Sequence, residues 1–121
     1  MTRMWGVDPR LLCRQHLLGE HVEMHVFLGT IRHGHSVRGY TDNGIVDPHR
    51  VFARHEELVL EMARRGMNHR SPMVLTEEDL AAVEALPRAT IDAEANLAEL
   101  ARRCERCQER QRAAQAASQD L

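Results

Sequence analysis

The 121-residue chain contains no lysine: all sixteen of its basic residues are arginine. Without side-chain ammonium groups, its only aliphatic amine is the one at the backbone N-terminus, where any amine-nucleophile chemistry is therefore expected. No apolar run reaches the length of a membrane span, and the opening "MTRMWGVDPR" lacks the apolar stretch of a signal peptide. A cytoplasmic protein with no membrane partner is expected. Cysteine is scarce and odd in number, and Cys13, Cys104 and Cys107 cannot make a disulfide framework. Strand-like alternation, internal repeats and low-complexity tracts are also missing, which leaves an all-α class.

What is present fits one soluble globular domain, residues 1–121, with 43% hydrophobic and 28% charged residues. The formal net charge of −2 argues against a general nucleic-acid binder, but the charges are segregated. Residues 1–75 carry ten Arg, eight acids and all eight His, whereas residues 76–99 carry seven acids against Arg88 alone. An arginine-bearing face can therefore coexist with an acidic flank.

Periodicity and capping predict three main helices plus a short one, joined by irregular loops. The first runs from about Pro9 to His33, with Asp8 as N-cap and Gly34 as breaker. "SVRGYTDNGIV" reads as a loop. The second helix starts at Asp47-Pro48 and runs to Gly66, with Val51, Leu58 and Met62 on one face. "TEED", Thr76 to Asp79, resembles a capping box opening a short helix that stops before Pro87. The last helix covers about Ile91 to Arg112, with Leu97, Leu100, Cys104 and Cys107 as its seam, and the polar tail beyond it is expected to fray.

The first helix carries an unusual stripe. At roughly 100° per residue, His16, Glu20 and Glu23 span an arc of about 60°. Leu17, Met24, Leu28 and Ile31 flank it on one side, and Leu11, Val22 and Val26 on the other. Arg14, His21, His25 and Arg32 form the opposite, solvent side. Charge between two apolar flanks is expensive unless it is paired or used. Three readings follow from the residues: an internal network with second-helix arginines, a metal site on His16, Glu20 and Glu23, or a working site. The metal reading lacks an HExxH or ExxH signature, so no metal ligand is assigned. "CERC" looks like half a zinc site, but no second CxxC or close His pair follows it, and buried seam thiols are expected.

"MTR" at the N-terminus, "QHLLGEHVE" on the first helix and "RRGMN" closing the second together resemble the pyrimidine-dimer DNA glycosylase family, of the phage endonuclease V type. The resemblance needs no gap through Glu23 and extends more loosely to about Asn68. It implies a compact helical enzyme without cofactor. A threonine amine exposed by removal of the initiator methionine attacks C1′ of a damaged nucleotide in double-stranded DNA. Thr2 would be that nucleophile, since an α-amine of pKa near 7.7–8.0 is partly neutral at pH 7. Glu23 would be the acid/base carboxylate, Arg3 a phosphate contact and His16 a sugar-positioning group. Gln15 and Glu20 complete the matched helix.

Val22 and Val26 stand where the resemblance implies DNA-gripping arginines. Arg50, Arg54, Arg64, Arg65, His69 and Arg70 are the replacement candidates for substrate contact. Arg102, Arg103 and Arg106 are further ones, with a solvated face as their ordinary reading. The expectation is a monomeric DNA glycosylase with AP lyase activity. Its alternatives are a non-catalytic helical binding module on the same scaffold and a metal-dependent enzyme using His16, Glu20 and Glu23.

Overall fold

The computed structural model describes residues 2–119, and within them every regular element is helical. Six α-helices follow in order: α1 Arg14–Arg32, α2 Arg38–Asp42, α3 Val51–Arg64, α4 Glu77–Glu84, α5 Ala93–Arg103 and α6 Glu105–Gln119. Short 3-10 turns, Pro9–Leu11 and Pro48–Arg50, precede α1 and α3.

The first helix starts later than its cap signal predicts. Asp8 does accept from the Arg10 N–H, but only a 3-10 turn follows, and Leu12 is extended at φ −85°, ψ 136°. Arg65, at the far end of α3, donates from Nη2 to the carbonyls of Pro9 and Leu12, at 3.1 and 2.7 Å. The Pro9 carbonyl also accepts the Leu12 N–H, closing the 3-10 turn, and α1 begins after the N-cap Cys13, whose Sγ accepts from the His16 N–H. Its C-terminal stop is as expected: Gly34 adopts φ 71° and donates to the Ile31 carbonyl.

Along α1, Leu17, Met24, Phe27, Leu28 and Ile31 are buried, and they join Val51, Leu58 and Met62 of α3 in the core. The other anticipated flank is not apolar packing, because Val22 and Val26 are 56% and 52% exposed. The loop expected at residues 36–46 contains the five-residue α2. At α4 the capping box forms as read, with Thr76 and Asp79 bonding reciprocally. Asp79 also receives Nε and Nη2 of Arg32 at 3.0 and 2.8 Å, which fixes α4 to the C-terminal end of α1. These bonds, the Arg32 pair foremost, hold the Asp79 carboxyl far below the usual carboxylate range.

The expected last helix is two. Cys104 leaves helical geometry at φ −136°, ψ 108°, ending α5, and α6 opens at the next residue. No glycine or proline marks this break. The kink carries both cysteines to the start of α1, with Cys104 Sγ 3.8 Å from Cys13 Sγ and Cys107 Sγ accepting from the Cys13 N–H at 3.2 Å. The tail remains helical to Gln119, clipped by Arg110 Nε to the Arg10 carbonyl and Gln111 Nε2 to the Leu97 carbonyl. Asp120 and Leu121, at the end of the tail, lie outside the described residues.

One buried ion pair joins these parts. Arg54 of α3 is 0% exposed and donates from Nε and Nη2 to both oxygens of Glu20 of α1, at 2.6 and 2.9 Å. Its Nη1 donates to the Val7 carbonyl at 2.7 Å, while Glu20 also accepts the Trp5 N–H at 3.1 Å. The extended N-terminal segment is thereby tied to both helices. Removing one member of such a pair strands a buried charge and costs about 3–5 kcal/mol, whereas well-packed replacement of both is often near neutral. In urea unfolding, R54M should therefore lose about 3–5 kcal/mol, and E20L/R54M should recover much of that loss. A loss below about 1 kcal/mol for R54M would show that the pair does not hold the segment.

Candidate functional site

The extended chain alternates its side chains about the backbone, and this alternation builds one wall of a cleft. Met4 is fully buried, while Arg3 and Trp5 on either side of it line a cavity of about 420 Å³. Gln15, His16 and Glu23 of α1 form the facing wall, with Gly19 between them and the buried Glu20 behind. Arg103, the last residue of α5, closes the rim.

Glu23 forms no ion pair among the described residues. Its Oε2 accepts the backbone N–H of Arg3 at 3.0 Å, which brings the N-terminal segment against α1 one residue from Thr2. Thr2 is itself buried. Burial raises the Glu23 pKa above the ordinary carboxylate range, partly offset by the Arg3 N–H, and the nearby Glu20 charge raises it further. Glu20, one helical turn away, has both oxygens engaged by Arg54. A shared metal on His16, Glu20 and Glu23 is thus ruled out by the guanidinium that already occupies Glu20.

Two cations lie close to the single tryptophan. The Arg3 guanidinium lies 4.0 Å from the Trp5 ring centroid and that of Arg103 5.5 Å. Arg3 also donates from Nη2 to Asn96 Oδ1 at 2.7 Å, and Asn96 Nδ2 in turn donates to the Trp5 carbonyl. The His16 ring meets Trp5 edge-on at 5.9 Å. Burial, then the positive Arg103, lowers the His16 pKa, so the ring is neutral at pH 7. The arrangement offers fixed positive charge for an anion beside a carboxylate able to exchange protons.

Of the residues singled out from sequence, Arg3, Gln15, His16, Glu20 and Glu23 converge on this cleft, with Thr2 adjacent to Arg3. Arg103, a further candidate, also lines it, whereas the other candidate arginines and His69 do not. Arg54 is buried with its guanidinium fully committed, and Arg65 is largely buried on Glu61 and the two α1-side carbonyls. Neither can reach a phosphate. Arg64 pairs with Glu61 beside a separate groove near Pro9, and Arg70 is exposed on the loop after α3. Trp5 and Asn96 were not legible as site residues, although the alternation of Arg3 and Trp5 about Met4 was a usable signal.

His69 belongs to another cluster, and with it His21, which periodicity assigned to the solvent side. His21 is only 6% exposed, because the loop after α3 folds over it. His25, His55 and His69 each donate from Nε2 to the Ser71 carbonyl, at 2.9, 3.2 and 2.8 Å, and His21 stacks among them.

A family model described as pyrimidine dimer DNA glycosylase matches residues 2–75. No curated protein and no solved structure matches the chain.

The histidine cluster has a pH signature. Burial, followed by the charges of His55, His25 and His69, lowers the His21 pKa to about 4. An unfolded histidine titrates near 6.5, so between about 6.5 and 4 the unfolded chain binds the proton that the folded chain refuses. The stability this group contributes is complete above pH 7 and is lost as pH falls through that window. Melting curves should show uptake of about one proton on unfolding near pH 5, and H21F should flatten the dependence. An unchanged slope in H21F would assign the acid sensitivity elsewhere.

Proposed function

Because the chain belongs to the pyrimidine dimer DNA glycosylase family, we propose that it excises a damaged or modified pyrimidine from duplex DNA and then cleaves the strand as an AP lyase. The nucleophile is the α-amine of Thr2, formed when Met1 is removed, a step at a residue outside those described. The observation that carries this reading is the hydrogen bond from the Arg3 N–H to Glu23, which holds a half-buried carboxylate within one residue of that amine.

The neutral amine attacks C1′ of the damaged nucleotide and the bond to the base breaks, leaving the base to take up a proton. Loss of the ring oxygen from C1′ as a hydroxyl gives an imine between Thr2 and the opened sugar. The protonated imine acidifies the C2′–H. Glu23 removes this proton, and the electron pair expels the 3′ phosphate by β-elimination. Hydrolysis of the imine then frees Thr2. Throughout, Glu23 faces developing positive charge, so its raised pKa suits a group that must both accept and return protons.

The cleft suits an extruded nucleotide: its roughly 420 Å³ lies within the ordinary range of small-ligand sites. Arg3 and Arg103, both close to Trp5, hold the flanking phosphates, and neutral His16 orients the sugar. With Val22 and Val26 exposed and Arg54 and Arg65 sequestered, phosphate contacts are few. Duplex affinity should accordingly be modest and only shallowly dependent on salt, because few ions are released.

Incubation with abasic or dimer-containing duplex DNA under borohydride should leave a covalent adduct on the peptide that begins at Thr2. E23Q should retain the fold and lose about 10²- to 10⁴-fold in strand cleavage. A chain with Met1 removed that gives no adduct beside an active control enzyme would exclude the lyase reading, and would favour a non-catalytic module on the same scaffold. Cleavage by E23Q at the wild-type rate would remove Glu23 from the chemistry.

A further inference from the structure

The cleft does not account for the cluster behind His16. Cys13, His16, Cys104 and Cys107 bring three sulfurs and one ring nitrogen within 4.8 Å of one another. The Cys13 Sγ lies 3.2 Å from His16 Nδ1 and 3.8 Å from Cys104 Sγ, and Cys107 Sγ lies 3.5 Å from the same Nδ1. Around a tetrahedral zinc ion, with Zn–S near 2.3 Å and Zn–N near 2.0–2.1 Å, sulfur–sulfur edges are about 3.8 Å and sulfur–nitrogen edges about 3.6 Å. The separations of 3.8, 3.5 and 3.2 Å lie close to those edges. Ligand atoms so close together fit a single ion and leave no room for an iron–sulfur cluster between them.

Hydrogen bonding alone explains the convergence poorly. Two sulfurs face one imidazole nitrogen, and that nitrogen has a single lone pair to offer. Backbone groups also treat the sulfurs as acceptors: the His16 N–H donates to Cys13 Sγ at 3.4 Å, and the Cys13 N–H to Cys107 Sγ at 3.2 Å. Such N–H bonds favour thiolates and are what a metal's ligands receive from their surroundings. The sequence pattern is equally specific. Cys13-x-x-His16 opens α1, Cys104-x-x-Cys107 opens α6, and each pair spans the first turn of its helix. Two such half-sites, held face to face, make a closed Cys₃His donor set.

We infer that these four residues bind one structural zinc ion, which fastens the α5–α6 pair to the N-terminal end of α1. Binding releases the thiol protons to solvent, and three thiolates with a neutral imidazole leave a net charge of −1 on the site. The positive Arg103, next to Cys104, stands close enough to lower the His16 pKa and so offsets that charge. Through Nδ1 the metal fixes the His16 ring, leaving Nε2 as the nitrogen available to the cleft. Three of the four donors differ from the residues proposed for catalysis, and the site needs no substrate to form.

The test uses untagged full-length protein grown in zinc-replete medium and purified under reducing conditions. Elemental analysis should give about one zinc per chain, and cobalt substitution should give the thiolate charge-transfer and tetrahedral d–d bands of a sulfur-ligated ion. C13S and C104S should each lose at least about tenfold in zinc affinity, as should H16A, while H16C retains the metal through a Cys₄ set. H55A, which disturbs the separate histidine cluster, should leave zinc content unchanged. A strong chelator should lower Tm in the wild type and leave the C13S/C104S variant unaffected. The proposal is overturned if reduced wild-type protein, exposed to zinc and dialysed, holds no metal while all three thiols react freely. Zinc that survives in C13S/C104S and leaves in H55A would overturn it equally, as would a Cys13–Cys104 disulfide in the native protein.

Discussion

The Glu20–Arg54 pair is the constraint on which the rest of the site depends. Both side chains are fully buried, so neither could be tolerated without the other, and the geometry satisfies both carboxylate oxygens. Its reach is wider than two helices. The same carboxylate accepts the Trp5 N–H and the same guanidinium donates to the Val7 carbonyl, so backbone groups of the N-terminal segment complete the pair. An extended segment has no internal hydrogen bonds of its own. Here its position is set by the need of a buried charge for partners, and Arg3 and Trp5 are delivered to the cleft as a consequence.

This explains why two carboxylates three residues apart on one helix have different fates. Glu20 is buried and has both oxygens bonded to the Arg54 guanidinium. Glu23, almost a full turn on, accepts a backbone N–H beside the cleft, and burial raises its pKa. Environment separates them, one bound to a guanidinium and the other half-buried beside the cleft with a raised pKa. The stripe read from periodicity therefore holds both of its simplest explanations at once. Glu20 is the internal salt network, and Glu23 is the carboxylate facing the cleft.

The helical class, the capping box at Thr76, the stop at Gly34 and the core face of α1 were legible because each is decided by neighbours in sequence. What was not legible depended on distant residues. The late start of α1 goes with a bond from Arg65, fifty-three residues beyond Leu12, to the Leu12 carbonyl. The break at Cys104 has no glycine or proline to announce it. His21 is buried by a loop, not by its own helix, and Arg54 looks in sequence like any other surface-capable arginine. Periodicity ranks faces of one helix, and it cannot say which face a remote segment will cover. The half-site at Cys104 and Cys107 shows the same limit: its complement, Cys13-x-x-His16, lies upstream by most of the chain's length, where a search for a following pair does not look.

The family match ends at residue 75, yet the cleft does not. Asn96 holds the Arg3 guanidinium and the Trp5 carbonyl, Arg103 closes the rim, and Cys104 and Cys107 stand behind His16. All four belong to α5, its C-cap or α6. A matched segment that carries Thr2, Arg3, His16 and Glu23 is thus completed by a C-terminal pair of helices outside the match. Their hold on it is thin in apolar terms, because α5 and α6 contribute only Leu100 and Cys107 to the fully buried hydrophobic core. Two side chains of that size supply too little burial to fix the orientation of two helices against a cleft wall. Bonds of Asn96 with Arg3 and Trp5, and from Arg110 to the Arg10 carbonyl, add about 1 kcal/mol net each. The Cys–His cluster is a further contact between these helices and the start of α1. It lies where α5 passes into α6, one residue from Arg103, so whatever holds those sulfurs together also sets how Arg103 stands over the cleft.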